Sequence, residues 1–240
     1  MFIKKEVTTM TVDGFVIENG VAVGYEYCTD FGVSVSFPEE VRIVGENLFC
    51  GNRQVRSVSF MWDVIAIEDC AFQSCTGIKT LKFPTSLQKI GDLAFEYCEG
   101  LQSVVFSEGL HSIGMSAFSN CDQLAYVDIP EGLKYLGDSA FASCKSLLAI
   151  TVPGGIQVLH EGTFYGCDKL QQVIIKKGVV SIEAESFAYC NDLKLVVLPE
   201  GVTQIDDSAF EGCEGATFYV PLRSYAEKYV KDKGFQFFSY

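Results

Sequence analysis

Phenylalanine returns every 23 residues along most of this 240-residue chain, at Phe49, Phe72, Phe95, Phe118, Phe141, Phe164, Phe187 and Phe210. A fixed period of this length marks a solenoid, in which each repeat buries its apolar face only against its neighbours. Other columns keep the register. Three residues after the Phe stand Cys75, Cys98, Cys121, Cys144, Cys167, Cys190 and Cys213. Six after it stand apolar residues such as Ile78 and Leu101, and nine and eleven after it come pairs such as Val104/Phe106 and Val127/Ile129.

Each unit reads as one rung. The alternation around Val104 predicts a strand with Val104 and Phe106 inward and Ser103, Val105 and Ser107 outward. Pro84, Pro130, Pro153 and Pro199, with Gly109, Gly132, Gly155, Gly178 and Gly201 two residues after the proline position, predict a corner. Pairs three apart, such as Leu110/Ile113, predict a second short extended or 3₁₀ segment, and the Ala-Phe-x-x-Cys stretch predicts a helical turn that closes the rung. A terminal rung exposes its core and must be covered. In residues 1–32 an Asn19-Gly20 turn between apolar strands predicts a hairpin cap. After about eight rungs over residues 33–221, residues 222–240 predict a helix-strand cap. There Ser224 and Glu227 match a capping box, Tyr225, Ala226, Tyr229 and Val230 supply an apolar face, and Gly234 ends the helix.

The unit IGDLAFEYCEGLQSVVFSEGL resembles the 23-residue leucine-rich repeat of the BspA type, and the resemblance covers residues 33–221. The tail FYVPLRSYAEKYVKDKGF is similar to that family's strand-then-helix ending. The resemblance implies an α/β, β-rich, right-handed leucine-rich-repeat solenoid. It implies a parallel concave sheet, short helical turns on the other side, and roles in protein recognition or bacterial surface adhesion. Departures are local: Asn52 stands in the cysteine column, Glu68, His160, Glu183 and Asp206 replace the glycine that follows the second segment, and Ser107 and Lys176 replace the proline. Members bind different partners, so the resemblance supplies none.

A net charge of −13 argues against nucleic acid, whose phosphates need clustered Lys and Arg. No apolar run of 18 or more residues predicts membrane insertion. Residues 1–12 carry two lysines but no apolar h-region or small-residue cleavage site, and do not read as a signal peptide. The resemblance suggests a secreted or surface protein, and a cytoplasmic one stays open. Seven of ten cysteines are fixed by the repeat and predict a reduced, buried thiol ladder. Cys28, Cys50 and Cys70 lie outside it, and a disulfide or redox role among them is left open. The sequence offers no Cys/His zinc spacing and no phosphate loop. Its two histidines, His111 and His160, fall at different repeat positions, outside any triad. No catalytic, cofactor-binding or metal residues are assigned.

What remains is surface. The outward strand positions run Ser57/Ser59, Thr80/Lys82, Ser103/Val105, Tyr126/Asp128, Ala149/Thr151, Gln172/Ile174 and Leu195/Val197, polar first and apolar last. Ile174, Leu195 and Val197, extended by Phe218 and Val220, predict an exposed apolar patch unless the C-terminal cap folds over it, and Tyr126 beside Asp128 predicts an aromatic anchor. The expected function is a non-catalytic scaffold that binds a protein or glycan partner on its concave face. The alternatives are a bacterial cell-surface adhesin fragment and, with least support, a thiol redox sensor.

Overall fold

In the computed structural model, residues 9–26, 32–60 and 63–240 are described. Three antiparallel strands open the chain, β1 (Thr9–Val12), β2 (Phe15–Glu18) and β3 (Val21–Tyr25). The expected Asn19-Gly20 turn joins β2 to β3, and an Asp13-Gly14 turn joins β1 to β2. All four turn residues have positive φ, as two-residue hairpins require.

From there the chain winds in a repeating two-strand turn. The longer strands are β4 (Val33–Phe37), β6 (Val55–Phe60), β8 (Thr80–Lys82), β10 (Ser103–Val105), β12 (Tyr126–Val127), β14 (Ala149–Val152), β16 (Gln172–Ile175), β18 (Leu195–Val197) and β20 (Thr217–Val220). Between them lie two-residue strands, β5 (Ile43–Val44), β7 (Ala66–Ile67), β9 (Lys89–Ile90), β11 (Ser112–Ile113), β13 (Tyr135–Leu136), β15 (Val158–Leu159), β17 (Ser181–Ile182) and β19 (Gln204–Ile205). The second segment of each rung is therefore extended, and it forms a parallel ladder of its own that β3 joins at the N-terminal end.

The segment expected as a helical turn is a run of linked tight turns. Residues two before and two after each Phe have positive φ, among them Cys70, Ser74, Leu93 and Tyr97, with Ser208 before Phe210 as the exception. Alternate amides bond within the rung, as Cys98 N to Phe95 O at 3.1 Å, and to the next rung, as Phe95 N to Ala117 O at 2.8 Å. The turns thus make a third hydrogen-bonded ladder, and the left-handed residues aim every second N–H along the stack.

This geometry explains why Phe and Cys sit three apart. Phe rings stack at the centre, with Phe72–Phe95 and Phe95–Phe118 centroids 5.2 Å apart and nearly parallel. The Phe95 carbonyl accepts from its own Cys98 amide and also from the Cys121 thiol of the next rung, at 3.4 Å. The same thiol-to-Phe bond recurs from Cys75 to Cys213. Cysteine fits the site because it is a small core hydrophobe that carries a weak donor. The seven ladder cysteines are buried free thiols.

Two outward assignments are corrected. Ser107 is buried, and its Oγ finds no hydrogen-bond partner among the described residues, because it occupies the proline corner, where the chain turns back over the core. Phe218 and Val220 are fully buried, because β20 pairs with β18 as Leu195↔Thr217, one residue short of the 23-residue period. A one-residue slip exchanges the two faces of a strand, so Thr217 and Tyr219 point outward instead.

Both ends are closed by aromatic side chains. Phe15 packs on Phe37 and Phe49 at one end. At the other, helix α1 (Tyr225–Lys233) buries Ala226, Tyr229 and Val230, and Tyr229 packs on Phe210. Ser224 Oγ accepts from Glu227 N and Gly234 is left-handed, as the capping pattern predicts. Tyr225 is exposed rather than part of the buried face, since its side chain leaves the helix one position before the packed ones. A last strand, β21 (Gln236–Ser239), adds in parallel to β20.

Candidate recognition surface

Apart from Ser107, Phe218 and Val220, alternation along the longer strands carries the expected outward residues to solvent or to partial burial. Tyr126 is 66% exposed and Asp128 is exposed beside it, with Val127 buried between them. They sit in a depression of about 690 Å³ that also takes in Ser103, Val105, Glu108, Glu131 and Thr151. Val105 on the preceding rung is 54% exposed, so an aliphatic and an aromatic side chain are presented together among carboxylates.

Ile174, Leu195 and Val197 are half-buried on the same face, some turns further on. Strand register aligns Ile174 with Val197, Val197 with Tyr219, and Tyr219 with Phe238. The apolar column therefore continues into the cap through Tyr219 and Phe238, whose rings lie 5.4 Å apart and of which Phe238 is 61% exposed. These two aromatic residues were missed because the slip at Thr217 reverses the faces there. The helix does not cover the column: it packs with Phe235 on Phe210 and Phe218, on the inner side of β20, while β21 lengthens the sheet.

Two of the three thiols outside the ladder lie within the described residues. Cys50 is exposed and bonds Gln73 Oε1 at 3.3 Å. Cys70 is partly buried, and burial and then the neighbouring Cys50 push its pKa up. Cys28 lies outside the described residues. Within the ladder, burial pushes Cys75 and Cys167 up to about 12, and Cys98, Cys121 and Cys144 well above the ordinary thiol value. A hydrogen bond shared with Cys190 lowers Cys213 and raises Cys190, and both thiols are buried.

The two histidines behave differently. His160, set aside in the sequence because the two histidines fall at different repeat positions outside any triad, meets Asp138 and Glu183. Its Nδ1 lies 3.0 Å from Glu183 Oε2 and 4.0 Å from Asp138 Oδ1, and its ring lies 5.4 Å from that of Tyr135. His160 and Glu183 are successive residues of the broken glycine column, which is the signal that the repeat alignment offered. Among the described residues no helix is long and apolar enough to cross a membrane.

Comparison with known proteins follows the same lines. The BspA type Leucine rich repeat region matches in six copies, over residues 24–147 and 112–228. A crystal structure of a T. pallidum leucine-rich repeat protein is similar to the chain with a TM-score of 0.65 and 23% identity, over 99% of this chain and 97% of that one. The pneumococcal vaccine antigen PcpA is similar with a TM-score of 0.51 and 16% identity, over 97% and 87% of the two chains. A leucine-rich repeat protein from Eubacterium ventriosum ATCC 27560 also has a TM-score of 0.51, at 15% identity over 75% and 65%. No curated protein matches the chain. At these identities the structural likenesses speak for the fold. The repeat itself, matched over most of the length, decides the question of kinship: the chain belongs to the BspA-type leucine-rich-repeat family.

Proposed function

We propose that the protein is a non-catalytic recognition scaffold that binds a protein partner on the outward face of its longer strands. The observation that carries this reading is the face itself. A rigid stack presents Tyr126 with Asp128, and separately the Ile174–Val197–Tyr219–Phe238 column with Leu195 beside it, on the outward face of the longer strands. Exposed aromatic anchors flanked by polar groups are what protein interfaces use, and a preorganised surface loses little entropy on binding. A glycan would use the same aromatic faces, with Asp128 and Glu131 as hydrogen-bond acceptors.

The experiment is an affinity capture from the source's surroundings with wild type, Tyr126→Ala, Val197→Glu and, as a control on the turn side, Gln73→Ala. Loss of one bound species in the first two variants at unchanged melting temperature, with retention in the control, supports the reading. Equal capture by all four removes it.

A second reading, a fragment of a cell-surface adhesin, draws on the similarity to a pneumococcal vaccine antigen. Antibodies against the folded protein labelling intact cells would favour it, and labelling only after lysis would count against it.

A further inference from the structure

The ladder of two-residue strands opens at one place, whereas the longer strands change sheet there, as they also do between β6 and β8, but keep a bond from Leu148 N to Ala125 O at 3.2 Å. β12 is the last strand of one sheet and β14 the first of the next, and β13 and β15 likewise end and begin separate sheets. In the following turn Val180 and Ser181 donate to Gln157 O, and Glu183 donates to Leu159 O. Among the described residues no such backbone bonds join Gln157–His160 to the turn before. The stacked Phe rings are also farthest apart here, 5.7 Å between Phe141 and Phe164. A cavity of about 360 Å³, lined by Lys134, Gly155, Gln157, Val158 and His160, opens beside the gap.

His160 stands in a column where Gly114 and Gly137 have no room for a side chain: an added Cβ would lie 2.6 Å from a backbone nitrogen of the preceding turn. Glu68 fills the same column with its ladder closed. The Cβ alone therefore does not part the strands, and what is particular to the seam is the imidazole set against Tyr135. Asp138 lies on one side of the seam, and His160 and Glu183 on the other.

We propose that Asp138, His160 and Glu183 bind a divalent first-row transition-metal ion of the zinc class, which clamps the two blocks of the solenoid across this seam. One potential ligand atom from each residue lies within 4.8 Å of the other two. Zinc holds N and O ligands at about 2.0–2.2 Å, which places ligands of one ion about 3–3.5 Å apart, so the 3.0 Å and 4.0 Å separations need only a small adjustment. Two carboxylates converge on one imidazole nitrogen, which has a single hydrogen to give, and a cation satisfies all three at once. A ligand set with an imidazole nitrogen favours zinc, nickel or copper over calcium or magnesium. The three side chains are partly exposed, which leaves further coordination positions to water or to a ligand atom from a partner.

The test is titration of the purified protein with Zn²⁺ and Co²⁺ alone, read by calorimetry, absorption and melting temperature. His160→Gly restores the residue of the repeat and protects the fold of the variant, and Asp138→Asn is an independent exposed substitution. We expect one ion per chain, a melting temperature raised by the metal, affinity at least ~10-fold weaker in both variants, and cobalt bands without thiolate charge transfer. No saturable binding, binding unchanged in His160→Gly, or thiolate bands that assign the ion to cysteines would overturn the site.

Discussion

The Phe–Cys stack and the ladder of two-residue strands cross the same seam, and the stack is continuous there while the ladder is not. Between the turns of Phe141 and Phe164 the rings stay parallel at 5.7 Å, and Ser139, Phe141 and Ser143 still donate to the next turn. The two-residue strands β13 and β15 on either side lie in separate sheets with no backbone bond between them among the described residues. Register in this solenoid is therefore held by the core column and the turn ladder, each of which repeats one residue type or one backbone conformation. The strand columns are where side chains vary and where pairing can be given up. Structural conservatism and functional freedom are separated by position within each 23-residue rung.

The sharpest way to break that comparison is Phe164→Ala, which removes the ring that bridges the seam. Truncation of a buried aromatic costs about 3–5 kcal/mol. For a chain of this size each kcal/mol is worth about 2–4 °C in melting temperature, and a drop smaller than for Tyr135→Ala at the exposed edge would show that the stack does not carry the register. Cys144→Ala should cost less, about 1–2 kcal/mol, because it removes a buried side chain and the thiol donor to Phe118 O while the backbone ladders stay. The six ladder thiols from Cys75 to Cys190 should also stay unmodified by a disulfide reagent at pH 8 in the native state, since their thiolate form is disfavoured and they are buried.

Hydrogen exchange addresses the seam directly. The amides of Gln157, Val158 and His160 should exchange at least ~10-fold faster than those of Val180, Ser181 and Glu183, which occupy the same positions one turn later with their bonds made. Equal protection would mean that the ladder is closed in solution.

Ser107→Pro should stabilise by about 1 kcal/mol. It places the corner residue of the other rungs there, removes a buried hydroxyl without a partner, and restricts the unfolded chain. A lower melting temperature would show that this corner differs from those at Pro84 and Pro130. The smallest effect lies in the cap. Bonds from Lys231, then Ser239 and the Arg223 amide, hold the Glu227 carboxyl below its ordinary range. A folded value lowered in this way contributes stability above the unfolded value and loses it as the pH falls through the folded one. The melting-temperature gap between wild type and Glu227→Gln should therefore be present at neutral pH and close in acid. A gap that does not shrink as the pH falls would show that the carboxylate's charge is not what matters.

Much of this was legible along the chain because a solenoid translates sequence period into spatial neighbourhood. The Phe and Cys columns, the inward Val104 and outward Val105, the hairpin at Asn19-Gly20 and the capped helix at Ser224 all follow from spacing and turn chemistry. The left-handed conformations of Leu93 and Tyr97 were not legible, because neither residue type favours them and the next rung's carbonyls impose them. Nor was Tyr126 legible as part of a depression, since its walls come from three successive rungs.

What the sequence determined by itself is the repeat, the buried columns and the family, since each depends on contacts that recur at one fixed separation. What only the tertiary structure decided are the exceptions to that separation. A strand paired one residue short turned Phe218 inward and Tyr219 outward, and the ladder of short strands opened between β13 and β15. A periodic pattern predicts neighbours by assuming perfect stacking, and side-chain volume and backbone hydrogen bonding decide where the stacking yields.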